Sequence, residues 1–331
     1  QSTQMVTDNQ TEDDYTYKSD YSSTTELLDS IEDLGERMSE EGTVLLKNNG
    51  ALPLTKDETQ KVTFLGFSSY YPVQGGDFGS IVAENKGTDA DTVDLIQAFE
   101  TKGYSLNPTV QKMYESLKED FKSEAVLPWG VTTYYRTTSP AVGGTFTSLE
   151  STQEKLDKTE PAWKDSMNDY NVMIVTIARA ASENANYTPG EDGVNPDQDL
   201  NQADPLGLSD TERATIDAAV KAKEENGGKV IVLLNNASAM EIDELKNNDG
   251  IDAMLEIGIP GGYGFYGVAD VLSGEANPSG HLADTYAVDN FASPAAQNYG
   301  DYEWTNADSD YSINSEIVEA EGIYTGYKYY E

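Results

Sequence analysis

The stretch SDTERATIDAAVKAKEENGGKVIVLL, residues 209–234, joins a helix to a strand. Ser209 and Glu212 stand at the spacing of a capping box, in which the hydroxyl accepts from the third helical N–H and the carboxylate reaches back. A helical pattern follows to residue 225, and residues 230–234 are an unbroken apolar run. Such a run is too short for a core helix and suits a strand covered on both faces, the kind found in parallel sheets.

Outward from this unit the pattern recurs. Residues 62–67, 172–177 and 253–257 are further apolar runs of strand length, and residues 92–102 and 108–121 carry helical patterns. Strands alternating with helices predict an α/β fold, a doubly wound three-layer sandwich with a mostly parallel sheet and helices on both faces. From Thr24, the spacing of Leu27, Leu28, Ile31, Leu34 and Met38 marks one face of a helix expected to dock on the body. Residues 1–22 have almost no aliphatic side chains and read as a disordered acidic tail before one domain spanning 23–331. Residues 123–158 are rich in Tyr, Thr, Ser and Gly without helical period, and read as a long functional loop.

Composition narrows the chemistry. With 21 basic and 59 acidic side chains among 331 residues, the formal charge of −38 disfavours nucleic acid, anionic lipid and polyanionic substrates. No apolar run is long enough for membrane insertion. The chain has no cysteine, which excludes disulfides, thiolate nucleophiles and cysteine metal sites, and its single histidine, His281, excludes a multi-histidine site. The 21 tyrosines suit the apolar faces and hydroxyls of sugars, and equally ordinary half-buried loops. The chain starts at Gln1 without a basic-then-apolar leader, as a processed product or a piece of a longer chain would. Its acidic, thiol-free surface is compatible with a bacterial extracellular or cell-surface protein and leaves the cytoplasm open.

Four stretches carry a resemblance. They are Glu41-Gly-Thr-Val-Leu-Leu-Lys-Asn48 with the glycine loop Gly75-Gly-Asp-Phe-Gly-Ser80; Ala178-Arg-Ala-Ala-Ser-Glu-Asn-Ala-Asn186; Ile259-Pro-Gly-Gly262 with Asp270-Val-Leu-Ser-Gly-Glu-Ala-Asn-Pro-Ser-Gly280; and Glu321-Gly-Ile-Tyr-Thr-Gly-Tyr-Lys-Tyr-Tyr330. In this order they resemble the C-terminal (α/β)6 sandwich domain of family 3 glycoside hydrolases. The family's barrel domain, which carries the nucleophilic aspartate, has no counterpart here. The segment His281-Leu-Ala-Asp-Thr-Tyr286 is similar to members whose sandwich precedes the barrel.

What the resemblance implies is half of a retaining β-glycosidase site. Retention needs a nucleophilic carboxylate and a carboxylic acid set about 5 Å apart. In many members the acid/base glutamate comes from the sandwich, and Glu183 stands at that place, with Asn184 beside it as a substrate contact. Ser182 and Asn184 replace the family's flanking glycines and Asn186 its aspartate. The bland reading of Glu183 is a solvated loop carboxylate.

The glycine loop lacks Gly-Lys-Ser/Thr and is no phosphate cradle. It reads either as a loop of close backbone approach or, by resemblance, as a cleft edge where Asp77 and Phe78 face the substrate. Trp129 and the Tyr134-Tyr135-Arg136 cluster suit stacking on a sugar ring or packing of their own loop. His281 reads as structural, in place of the family's usual arginine. Asn195, Asp197, Asp199 and Asn201 alternate as calcium ligands do, but Leu200 and Leu206 stand where such a loop needs Gly and Glu. No metal site is assigned and no organic cofactor is implied. The expected partners are an oligosaccharide or β-glycoside substrate and a barrel domain. The alternative is a non-catalytic module that binds carbohydrate or protein.

Overall fold

A computed structural model describes residues 19–54, 60–74, 92–127, 130–135, 150–179, 204–298, 302–303, 315–316 and 318–330. Its centre is a six-stranded sheet of β1 (Val44–Asn48), β2 (Lys61–Leu65), β3 (Ser105–Leu106), β6 (Val172–Arg179), β7 (Lys229–Asn236) and β8 (Ala253–Glu256). Two separate hairpin pairs are β4 (Lys122–Leu127) with β5 (Gly130–Tyr135), and β9 (Tyr302–Glu303) with β10 (Ser315–Glu316). The large sheet runs β1-β8-β7-β6-β2-β3, parallel throughout except for the antiparallel edge strand β1.

All eight residues of β6 are buried. Successive side chains point to opposite faces, so full burial means that the sheet is covered on both sides, as the apolar runs predict. The helix Asp210–Asn226 opens with the Ser209–Glu212 capping box read from the sequence and packs against β6 and β7. Asp94 and Asn107 cap the helices Leu95–Thr101 and Pro108–Ser116. Phe64 and Phe99 meet edge to face, with ring centroids 4.9 Å apart. Each buried apolar side chain of this size contributes roughly 1.5–3 kcal/mol relative to exposure.

Three expectations need correction. β2 ends at Leu65, and Phe67 opens a short helix, Phe67–Tyr70, because Gly66 turns the chain at φ 90°. Residues 123–158 are not one loop: β4 and β5 form a hairpin, and Gln153–Thr159 is a helix capped by Thr152. The third concerns the helix Thr24–Gly42, which forms and docks on the helix Phe265–Ser273 as expected, but with the other face inward.

Its buried residue is Ser39, while Leu27, Ile31, Leu34 and Met38 are exposed, Met38 by 65%. Glycine explains the choice. A Cβ on Gly267 would lie 2.2 Å from the Glu36 carbonyl oxygen, and one on Gly264 2.1 Å from Ser39 Oγ, so the partner helix offers a groove only a small-residue face can enter. Of the expected tail, residues 1–18 lie outside the described residues. No helix among the described residues is long and apolar enough to cross a membrane.

Candidate functional site

The parallel strands β2, β6, β7 and β8 end along one edge of the sheet, where open α/β sheets present ligands. The hydrogen bonds that gather there fix the roots of the segments singled out in the sequence.

Arg179, the last residue of β6, is fully buried. A buried guanidinium is tolerated only when paired and fully hydrogen-bonded. Its Nη1 and Nη2 donate to Glu212 at 2.7 and 2.9 Å, Nε to Pro205 O at 2.7 Å, Nη2 to Gly207 O at 2.6 Å and Nη1 to Ala178 O at 2.8 Å. All five donors of the guanidinium are thereby used. Glu212 also accepts from Ser209 N, so a single carboxylate closes the helix cap and neutralises the arginine. Arg179 thus gathers both ends of segment 180–203. Glu183 and Asn184 belong to that segment and lie outside the described residues, as does the 195–201 stretch.

Asn235, near the end of β7, works in the same way. Its Oδ1 accepts from Val73 N at 2.7 Å, and its Nδ2 donates to Val73 O and to Gly258 O at 3.0 and 2.6 Å. It stitches the chain after β2 to the turn after β8. Gln74 Nε2 donates to Val93 O at 2.8 Å, joining the two ends of segment 75–91. Asp77, Phe78 and the glycine loop lie in that segment, outside the described residues.

Glu150 sits buried beneath the ends of β2 and β6. It accepts from Phe67 N at 2.8 Å, Ser151 N at 3.0 Å and the Tyr114 hydroxyl at 3.2 Å. Burial pushes its carboxyl up to about 8, against the pull of these donors. Gly66 is required beside it: any Cβ there would stand 2.6 Å from Thr176 O. Trp129 and Arg136 lie outside the described residues, and Tyr134 and Tyr135 end β5.

A cleft of about 340 Å³ opens between the ends of β7 and β8 and the chain at 281–286. Glu256, the last residue of β8, is 8% exposed; it accepts from Gly258 N at 3.0 Å and the Tyr286 hydroxyl at 3.0 Å. Burial pushes its carboxyl up to about 7, while Gly258, Tyr286 and Asn236 favour the charged form. Burial and the neighbouring Glu256 raise the Tyr286 hydroxyl as well. Asn236 is 6% exposed. His281 is exposed on the cleft wall, with Nδ1 3.1 Å from Ser279 O.

Among the described residues one carboxylate cluster has metal-like spacing, Glu36, Glu40 and Asp270. The Lys102 ammonium already serves it, 3.2 Å from Glu36 and 2.6 Å from Asp270. Sequence reading singled out none of Glu150, Asn235, Asn236 and Glu256. The signal that would have found three of them is a polar or acidic residue ending an apolar parallel strand, as in Ala253-Met-Leu-Glu256 and Val230-Ile-Val-Leu-Leu-Asn-Asn236.

Comparison with known proteins agrees with this architecture. A family model described as "Glycosyl hydrolase family 3 C-terminal domain" matches residues 43–327. A β-glucosidase of Ruminococcus albus is 28% identical over 296 residues, 88% of this chain and 25% of that protein. β-Glucosidase 3B of Thermotoga neapolitana, solved with glucose, superposes with a TM-score of 0.62 at 25% identity, over 92% of this chain and 36% of that one. Its glycerol complex gives a TM-score of 0.60 at 26% identity, over 89% and 35%. The chain therefore spans between a quarter and 36% of the length of these relatives. By its match from residue 43 to residue 327 and by its fold, the chain belongs to glycoside hydrolase family 3, as a C-terminal domain of that family.

Proposed function

We propose that this domain forms one wall of the substrate cleft of a retaining β-glycosidase, β-glucosidase-like, and supplies Glu183 as its acid/base. A barrel domain supplies the nucleophile. The observation that carries this reading is the Arg179 clamp: a fully used guanidinium fixes both ends of segment 180–203 at the ligand-presenting edge of the sheet. Three residues separate Arg179 from Glu183, so the carboxylate is tethered close to a rigid point, as an acid that must meet a leaving oxygen requires. The outward apolar stripe of the helix Thr24–Gly42 offers a surface for the neighbouring domain.

In this mechanism Glu183 protonates the leaving oxygen while the barrel's aspartate attacks the anomeric carbon. The same residue, now a carboxylate, then takes a proton from the water that releases the sugar. The experiment is azide rescue in the protein that joins this domain to its barrel. Glu183→Ala should slow turnover of a dinitrophenyl β-glucoside at the second step, and azide, which needs no deprotonation, should restore it as the glycosyl azide. Unchanged turnover in the variant, or a loss that azide leaves as it is, counts against the assignment.

A further inference from the structure

Beneath the ends of β2 and β6, and against the helix Asp210–Asn226, lies a small buried chamber walled by Gly66, Glu150, Thr176, Glu212 and Thr215. It offers about 10 Å³ to the centre of a water-sized sphere, which is room for one water molecule. Two carboxyl groups share it, and they anchor different segments. Glu212 holds Arg179 and the Ser209 amide, while Glu150 holds the Phe67 and Ser151 amides and the Tyr114 hydroxyl. A carboxylate has about four acceptor positions, and the donors to Glu150 take three. Among the described residues, the Thr215 hydroxyl accepts from Gln153 Nε2 at 3.4 Å, and its own proton meets no acceptor.

We propose that this chamber binds one water molecule between the Glu150 and Glu212 carboxyl groups and the Thr215 hydroxyl, and that this water couples the two anchor points of the sheet edge. A buried water needs two to four polar partners, and these three side chains supply them. A chamber walled by hydrocarbon alone would stay dry, but this one has carboxyl and hydroxyl groups on its walls. Water also suits both protonation states of Glu150. Burial, and after it the charge of Glu212, favour the protonated form, whose O–H needs an acceptor that water provides. The ionised form needs a further donor, and water provides that too. One side of the bridge positions Phe67, where the chain leaves β2, and the other positions Arg179, where it leaves β6. The inference rests on neither Glu183 nor a barrel domain.

A high-resolution crystal structure of the 331-residue chain tests the site. One density peak should stand about 2.6–3.2 Å from an oxygen of each carboxyl group. No density there, or a peak within reach of only one of the two, overturns the proposal. Contacts of about 2.3–2.6 Å to several oxygens would also overturn it, as those of a bound cation. Amide hydrogen exchange tests the coupling. Thr215→Val keeps the side chain's shape and removes the hydroxyl, and should speed exchange at Phe67 and Ser209 together, each by about fivefold, the worth of one net hydrogen bond. Val232, in the middle of β7, should keep its rate. Gln153→Ala, which removes the other partner of that hydroxyl, should leave Phe67 and Ser209 as they are. If Thr215→Val speeds exchange everywhere, Thr215→Ser decides, because it keeps the hydroxyl and should exchange as wild type does at both amides. Faster exchange at Ser209 with Phe67 unmoved, or equal effects of Val and Ser at position 215, would show that no water joins the two anchors.

Discussion

Arg179 and Glu212 form a bidentate ion pair inside the protein, Nη1 to Oε1 at 2.7 Å and Nη2 to Oε2 at 2.9 Å, with the arginine side chain wholly inaccessible. The pair joins the end of a central strand to the first turn of the next helix. Removing one partner leaves the other charge buried and uncompensated, which costs about 3–5 kcal/mol. Arg179→Met and Glu212→Leu should each lower stability in urea unfolding by that order. The double variant should lose less than the sum of the two, because no unpaired charge remains. Additive losses would mean that the pair is not the unit that matters.

Glu150 gives stability a pH dependence of definite sign. Its folded carboxyl is pushed up to about 8 by burial, well above the unfolded value of about 4.3. The folded state therefore holds the proton more tightly, so this contribution is full below about pH 4.3 and is lost as pH rises through about 8. Between about pH 5 and 8, wild type should lose stability relative to Glu150→Gln, by at most about 1.4 kcal/mol per pH unit. Urea midpoints across that range decide it. Parallel curves for the two proteins would show that Glu150 does not titrate there.

The helix Thr24–Gly42 turns its apolar stripe outward. Leu34 is 50% exposed and Ile31 45%. In this chain alone, Ile31→Gln and Leu34→Gln should therefore change stability by less than about 0.5 kcal/mol each. In contrast, Gly267→Ala, whose Cβ has no room beside the Glu36 carbonyl, should free the helix and expose it to limited proteolysis. A loss of about 2 kcal/mol or more from Leu34→Gln would place the stripe inward.

The sheet was legible because its strands are buried on both faces. Residues such as Val172, Ile174, Val230 and Val232 carry a signal that needs no knowledge of partners. The inner face of the first helix was not legible. Apolar spacing names the side that seeks cover, whereas the packing was decided by the glycines of a helix more than 220 residues away, Gly264 and Gly267. The hairpin β4–β5 was missed for another reason, since Tyr- and Thr-rich strands look like polar loop when their partner is not known. As for the site, the family resemblance points to Glu183 through its local motif. Glu150 acquires its role only from segments far away in sequence, and Asn235 and Glu256 are marked locally only as polar residues ending apolar strands, a pattern that does not name their partners. Asp77, Phe78, Trp129, Glu183 and Asn184 all fall outside the described residues, so their placement rests on the sequence and on the roots that flank them.

This chain by itself should not hydrolyse glycosides, because retention needs two carboxylates across the scissile bond and the domain offers one candidate. Highly purified chain assayed with an aryl β-glucoside should give no turnover above the uncatalysed rate. Turnover that Glu183→Gln abolishes would show that the second carboxylate lies within these 331 residues.

The assignment of Glu183 is tested most directly by how its loss depends on the leaving group. In the complete protein, kcat/KM should be measured for Glu183→Gln and wild type on cellobiose, whose leaving alkoxide needs a proton, and on a dinitrophenyl β-glucoside, whose leaving group does not. If Glu183 is the acid, the disaccharide should lose about a hundredfold or more and the activated substrate should be nearly spared. Equal losses on the two substrates would contradict the account and make Glu183 part of the scaffold.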